Sequence, residues 1–256
     1  MQIRRIILSF ALLISFASPL LAEQVEIVAG AGPSTQIAKL FFKQLPKYED
    51  VGDYRFIVPE RSAKHRGGII NADNFLFGRT GHPLDKFDSA LGKREIILAE
   101  VPVAFVAGNG VPRILFSMDQ IRKIFLRETS NWGAFGGSDV PIELVGRERL
   151  ETVFRFLKEK YPFFKQVTFD RVFHHDNEFV DFLNSSAGKY SISFGAAPNF
   201  DKSGRVNVTD FSCGIKVGLV YDVVNDKHPV VLAAKTFKAS QYWKRLVLDA
   251  GMLPVD

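Results

Sequence analysis

Apolar residues fall into two rhythms along this chain: short unbroken runs that suit strands, and i, i+3, i+4 spacings that suit helices. The first clear case is the run 25–29, which breaks at Gly30-Ala31-Gly32-Pro33-Ser34-Thr35 and resumes at helical spacing with Ile37, Leu40 and Phe41. That pattern predicts a strand, a glycine turn and a helix start. A strand is predicted at 54–58, a turn at Gly67-Gly68 into a short helix, and a further strand at 74–78. The run 95–107 is the longest strand-like stretch and could carry the chain from one lobe into another. Beyond it, Ser117-Met118-Asp119-Gln120 reads as a capping box ahead of a helix whose buried face is Ile121, Ile124 and Phe125. The strand 140–145 turns through Gly146-Arg147-Glu148-Arg149 into a helix with Leu150, Val153, Phe154 and Leu157 on its apolar face. A helix near 177–183, a strand at 191–195 that returns toward the first unit, and a closing region of 230–233 and 239–248 complete the pattern. Strands alternate with helices and no internal repeat intervenes, so the expected class is α/β.

The first residues have a different character. Arg4 and Arg5 precede an apolar stretch over 6–16 and the small-residue segment Ser18-Pro19-Leu20-Leu21-Ala22, which is the layout of a secretory signal. The apolar stretch is short for a bilayer about 30 Å thick, and no later run approaches the roughly 20 apolar residues of a spanning helix. The expected mature protein is exported, begins near Glu23 and does not span the membrane. No cysteine follows the apolar stretch, so a lipid anchor there is not supported. The single Cys213 reads as a small buried apolar residue.

Composition is that of an ordinary globular protein, with 46% hydrophobic and 24% charged residues, and the remaining chain suffices for one large domain or two small ones. The formal charge is +5, of which Arg4 and Arg5 carry two. A modest basic excess helps to gather anionic solutes, but the basic residues are interspersed with acidic ones, which argues against nucleic acid as a partner.

The candidate chemistry lies at two helix mouths. The first turn of a helix leaves N–H groups without partners and carries partial positive charge, so the start at Ser34 and Thr35 is a seat for an anion. The second start, after Arg147 and Arg149, adds guanidinium groups that fork onto two oxygens at once. Arg79 and Thr80 lie between glycines after a strand, where side chains tend to face a cleft. The five histidines lack metal-ligand spacing, Gly30 and Gly32 lack the third glycine of a dinucleotide fingerprint, and no nucleophile elbow is present. No metal, no cofactor and no catalytic residue is therefore expected. An exported hydrolase is the least favoured of the function classes considered.

The order of these motifs resembles the periplasmic solute-binding proteins of the type II binding-protein fold, in particular the phosphate-binding-protein-like branch that serves ABC transporters. The resemblance rests on 30–35, on Lys64-His65-Arg66-Gly67-Gly68-Ile69, on 77–84, on Asn131-Trp132, on Val145-Gly146-Arg147 and on 191–195. It implies an α/β protein of two lobes with a ligand cleft between them: 23–104 plus 196–256 as the first lobe and 105–195 as the second. It also implies a small anionic ligand, a phosphate-like oxyanion or an anionic metabolite, and a membrane permease as partner. Carried over by position, it implies Ser34, Thr35, Arg147 and Thr152 as ligand contacts; Arg66, Arg79, Thr80 and Arg149 complete the candidate set. The chain departs from the family pattern at Leu150-Glu151, where the family has Ser-Gly. It departs again at Gly81, where phosphate binders have aspartate, and at Arg66, where they have serine. Strict phosphate specificity is therefore not implied, and a binding-protein fold adapted to sensing or assembly, with an altered or empty cleft, is the alternative.

Overall fold

The computed structural model describes residues 23–256; the predicted export signal lies outside the described residues. Strands β1 (Gln24–Ile27) and β2 (Tyr54–Ile57) pair in parallel, with Gln24 opposite Tyr54, and helix α1 (Thr35–Tyr48) connects them. Next come α2 (Lys64–Asn71), β3 (Gly78–Thr80), α3 (Lys86–Ala90) and β4 (Lys93–Ala107). The middle of the chain forms β5 (Leu115–Phe116), α4 (Met118–Phe125), β6 (Glu143–Arg147), α5 (Thr152–Lys160), β7 (Arg171–Phe173), α6 (Asp176–Asn184) and β8 (Ser191–Ala196). The remainder is β9 (Arg205–Val208), β10 (Gly214–Asp222), α7 (Pro229–Ala239) and α8 (Gln241–Asp249).

The long strand β4 is the spine of the molecule. Residues 93–102 pair antiparallel with β10, whereas 103–107 pair antiparallel with β8, giving the sheet order β3-β10-β4-β8-β6-β7. A single strand thus pairs with β10 along its first part and with β8 along its second. The β1–β2 pair joins the first half through a parallel bridge between Gly30 and Arg79. Backbones approach closely there: a Cβ at Gly30 would lie 2.1 Å from the Arg79 carbonyl oxygen.

Aromatic packing fills both halves. Phe41, on the buried face of α1, meets Trp243 edge-on at 4.9 Å and Phe237 at 5.1 Å, while Phe125, Phe164 and Phe194 close around β4 in the second half. Each fully buried ring contributes on the order of 2 kcal/mol. The capping box at Ser117 forms as expected: the Ser117 hydroxyl accepts from the Gln120 N–H, and the Gln120 side chain accepts from the Ser117 N–H.

Several local expectations change. Gly67 and Gly68 lie inside α2 rather than in a turn; the glycine at 68 serves the close approach of β3, since a Cβ there would come within 2.1 Å of the Arg79 carbonyl oxygen. The strand expected at 74–78 begins only at Gly78. Leu150 is 75% exposed and precedes α5, whose apolar face is Val153, Phe154 and Leu157. Strand β8 stays beside β4 and β6, and β9 still pairs with Phe105 and Val106 of β4. Strand β10, which the run pattern did not mark, is the central partner of the first half.

Candidate functional site

The two predicted helix mouths face each other across a narrow gap. On one side stand Ala31, Gly32 and Pro33, with Lys64, His65 and His82; on the other stand Arg147, Glu148, Glu151 and Thr152. Contact is close at the centre: a Cβ at Gly81 would meet Thr152 Oγ1 at 2.6 Å and the Ala31 Cβ at 2.9 Å. Lys64 Nζ crosses the gap to Glu148 Oε1 at 3.0 Å. The space left between the walls is only about 40 Å³. It widens at one end into a mouth of about 680 Å³ between the first turn of α1 (Thr35, Gln36) and α6 (Asn177, Glu178, Asp181). At the other end is a cavity of about 360 Å³ bordered by His82, Thr152, Arg155 and Lys216.

Beneath the first mouth lies a buried polar knot. Arg79 is fully buried; its Nε donates to the Val28 carbonyl at 2.9 Å, Nη1 to the Ala31 carbonyl at 3.0 Å and to Thr35 Oγ1, and Nη2 to the Pro59 carbonyl at 3.0 Å. Burial pushes its pKa down to about 10, so it stays charged at neutral pH. Ser34, also fully buried, donates its hydroxyl to the Ala31 carbonyl at 2.9 Å. Thr80 accepts from the Gly218 N–H at 3.1 Å, next to a register shift in β10 between Val217 and Gly218. Arg79, Ser34 and Thr80 thus brace the turn that presents the mouth, and their hydrogen bonds go to the protein itself. Thr35 has a hydroxyl proton left to donate and borders the wide mouth.

The second mouth is built differently. Arg147 is buried, donates from Nε to the Phe173 carbonyl at 3.1 Å and from Nη2 to the His174 carbonyl at 2.9 Å, and stands 3.6 Å from Glu148 Oε2. It thereby joins the ends of β6 and β7 while bordering the gap. Glu151 caps α5, its carboxylate accepting from the Phe154 N–H at 2.8 Å. Desolvation raises the pKa of Glu151 against the pull of the α5 N–H groups and Arg147. Burial would also raise that of Glu148, but the Lys64 ammonium and its other partners outweigh it and the net shift is downward.

Of the sequence candidates, Arg147 and Thr152 line the gap and Thr35 the adjoining mouth. Ser34, Arg79 and Thr80 lie in the supporting framework; Arg66 is exposed on α2, and Arg149 is exposed and faces a separate pocket. The sequence reading did not mark Lys64, His65, His82 and Glu148 as site residues. The rings of His65 and His82 stack at 3.7 Å, and nothing in their spacing along the chain signals that encounter. His65 Nδ1 accepts from the Gly81 N–H at 3.4 Å, which leaves the proton on Nε2 to donate to Asp88 Oδ2 at 3.1 Å. Desolvation lowers the pKa of His65 despite Asp88. Among the described residues, no group of three or more His, Cys, Asp or Glu is placed to hold a metal ion, and no helix is long and apolar enough to cross a membrane.

No protein-family model and no curated protein matches the sequence. Solved structures do. The fold is similar to that of a protein from Clostridium perfringens named as a phosphate ABC transporter substrate-binding protein and solved with bound phosphate: TM-score 0.74, 16% identity, covering 91% of this chain and 100% of that one. An ABC-type phosphate transport receptor from Vibrio cholerae matches with TM-score 0.60 and 15% identity over 89% of this chain and 99% of its own. The effector-binding domain of QuiR in complex with shikimate matches with TM-score 0.52 and 10% identity over 88% of this chain and 99% of its own. Taken with the two helix mouths facing one gap, these likenesses establish the two-lobed α/β architecture of the type II periplasmic-binding-protein fold.

Proposed function

We propose that this chain is an exported, non-enzymatic binding protein that captures a small anionic solute between its lobes and delivers it to a membrane permease for ABC-type uptake. The observation that carries this reading is the approach of the two helix mouths, Ala31 of the first and Thr152 of the second, to the same point at Gly81. A solute touching both mouths stabilises the closed form by contacts it lacks in any open one, and closure is then the signal a membrane partner reads. The descriptions of the similar proteins, one solved with bound phosphate and the other named a phosphate transport receptor, support the same class of role. The proposed lobes are 23–104 plus 196–256 and 105–195; the pairing of β9 with β4 favours a return crossing nearer 209–213.

Of the two anion classes, an anionic metabolite fits better than a bare oxyanion. The narrow centre already holds the carboxylates of Glu148 and Glu151, whereas the wide mouth sets the Thr35 hydroxyl and Arg61 beside the carboxylates of Glu60, Glu178 and Asp181, an arrangement for a molecule that carries donor groups as well as an acidic head. Gln36, Asn177, Glu178 and Asp181 can accept from hydroxyl or amine groups on the rest of such a molecule. A second reading, a sensor or assembly component with an altered cleft, draws on Glu151, which occupies α5 N–H groups that an external anion would need.

Thermal stabilisation measured with phosphate, sulfate, other oxyanions and small hydroxy- and amino-carboxylates separates these readings. Uptake of an anionic metabolite predicts a shift from a carboxylate and little from sulfate or phosphate. A panel that shifts nothing refutes the capture reading and favours the sensor or assembly role. The Arg147→Ala variant should lose the shift from the effective solute, and an unchanged shift would remove Arg147 from the site.

A further inference from the structure

Arg149, at the second helix mouth, turns away from the gap and lines a different cavity of about 430 Å³ between α5 and the loop before β7. The floor of that cavity is aromatic. Phe154 and Phe169 lie 5.2 Å apart, and the Phe169 ring sits directly on Gly146, where a Cβ would fall 2.4 Å from it. Its rim is cationic, formed by Arg149, Lys158 and Lys165. Among the described residues, none of these three has a carboxylate within salt-bridge distance. The carboxylate on the wall, Glu148, is engaged by Lys64 at 3.0 Å and lies near Arg147. Lys158 stands 4.4 Å above the Phe154 ring and gives one hydrogen bond to the Arg149 carbonyl at 2.7 Å, and an ammonium has three protons to give. Desolvation lowers its pKa, and the nearby Arg149 and Arg155 lower it further.

We propose that this cavity is a second ligand site, separate from the interlobe gap, for an organic anion that carries a flat ring. Its volume lies in the usual range for small-molecule pockets, about 300–1,000 Å³. The ring lies against half-buried Phe169 and exposed Val172, beside the Lys158 ammonium that covers Phe154, where offset or edge-on packing on Phe169 is favourable. The acidic head, carboxylate or phosphomonoester, sits among Arg149, Lys158 and Lys165 and relieves the mutual repulsion of three clustered cations. Exposed Gln166 and Thr168 on the rim supply hydrogen bonds that orient it. Neither half of such a ligand suffices alone: inorganic phosphate leaves Phe169 and Val172 uncovered, and an uncharged ring leaves the cations unanswered.

Phenyl phosphate is the probe, titrated calorimetrically into the intact protein at low salt, with inorganic phosphate and benzyl alcohol as controls. Phenyl phosphate should saturate one site, with each control weaker by about tenfold or more. Arg149→Gln and Lys158→Met should each weaken binding by about tenfold, the effect of losing one hydrogen bond to a charged group, with the unfolding midpoint of Arg149→Gln unchanged and that of Lys158→Met lowered by no more than about 4 °C for the hydrogen bond it gives up. Amide resonances of 149, 158, 166 and 169 should move during the titration, and those of Gly32 and Gln36 in the interlobe mouth should not. Absence of saturable binding, equal binding of inorganic phosphate, indifference to both substitutions, or shifts confined to the interlobe mouth would each overturn the assignment.

Discussion

Replacing Arg79 with leucine tests the account where its framework is most concentrated. The guanidinium is fully buried, has no carboxylate partner among the described residues, and donates to the carbonyls of Val28, Ala31 and Pro59 and to the Thr35 hydroxyl. Leucine, shorter than arginine, would leave the carbonyls of Val28 and Pro59 without donors, at about 1–3 kcal/mol each, leave the Ala31 carbonyl to Ser34 alone, and open a void where the guanidinium stood. Removing a desolvated cation returns several kcal/mol of that loss, so the net expected destabilisation is about 3 kcal/mol. For a chain of this length, 1 kcal/mol corresponds to about 2–4 °C in the midpoint, which gives a fall of about 6–12 °C. Urea unfolding should show the same loss with an unchanged slope. Because the group remains charged well below its pKa of about 10, the loss should be the same at pH 6 and pH 8. Arg79→Lys should recover only part of it, since an ammonium cannot fork toward three separate carbonyls. A midpoint within about 2 °C of the wild type would refute the claim that Arg79 holds the first mouth in place.

Further outcomes follow from the gap itself. Gly81→Ala should force Thr152 and Ala31 away and cost about 1–3 kcal/mol, and the Gly81→Ala, Thr152→Ala double variant should lose less than the sum of the two single losses; additive losses in the double variant would deny the contact. His65 has a folded-state pKa below its ordinary value, so the unfolded chain binds its proton more readily. Its contribution is present above about pH 6.5 and is lost as the pH falls toward the lowered pKa, so the midpoint should drop between pH 7.5 and 5.5. His65→Gln should flatten that drop, and an equal slope in the variant would contradict the assignment. Glu148 works in a lower window: its depressed pKa means that its contribution is lost only below about pH 4.5, and Lys64→Met should remove most of it.

What was legible in the chain was whatever local chemistry decides. The capping box at Ser117 and Gln120 needs only neighbouring atoms, and β4 announces itself by a run of apolar residues too long for one ordinary strand. Both helix mouths were readable for the same reason. The direction of a side chain is set by distant partners and was not readable. Arg79 looked like a cleft residue because nothing nearby in sequence tells that the carbonyls of Val28 and Pro59 will receive it. Leu150 fits the apolar spacing of a helix, yet α5 starts only after Glu151 takes the capping position. Strand β10 is hard to read because the alternation of Ile215, Val217 and Leu219 gives way to the unbroken run Leu219-Val220-Tyr221 just past the register shift. The gap itself depends on residues as far apart as Lys64 and Glu148, whose pairing no local pattern encodes.

The central claim is that one solute engages both helix mouths at once. Amide resonances of Gly32, Gln36, Thr152 and Asn177, followed while a stabilising anion is titrated into the protein, test it most directly. The account predicts that residues on both sides of the gap shift together along a single saturation curve. Shifts restricted to one side, or separate curves for the two sides, would contradict it.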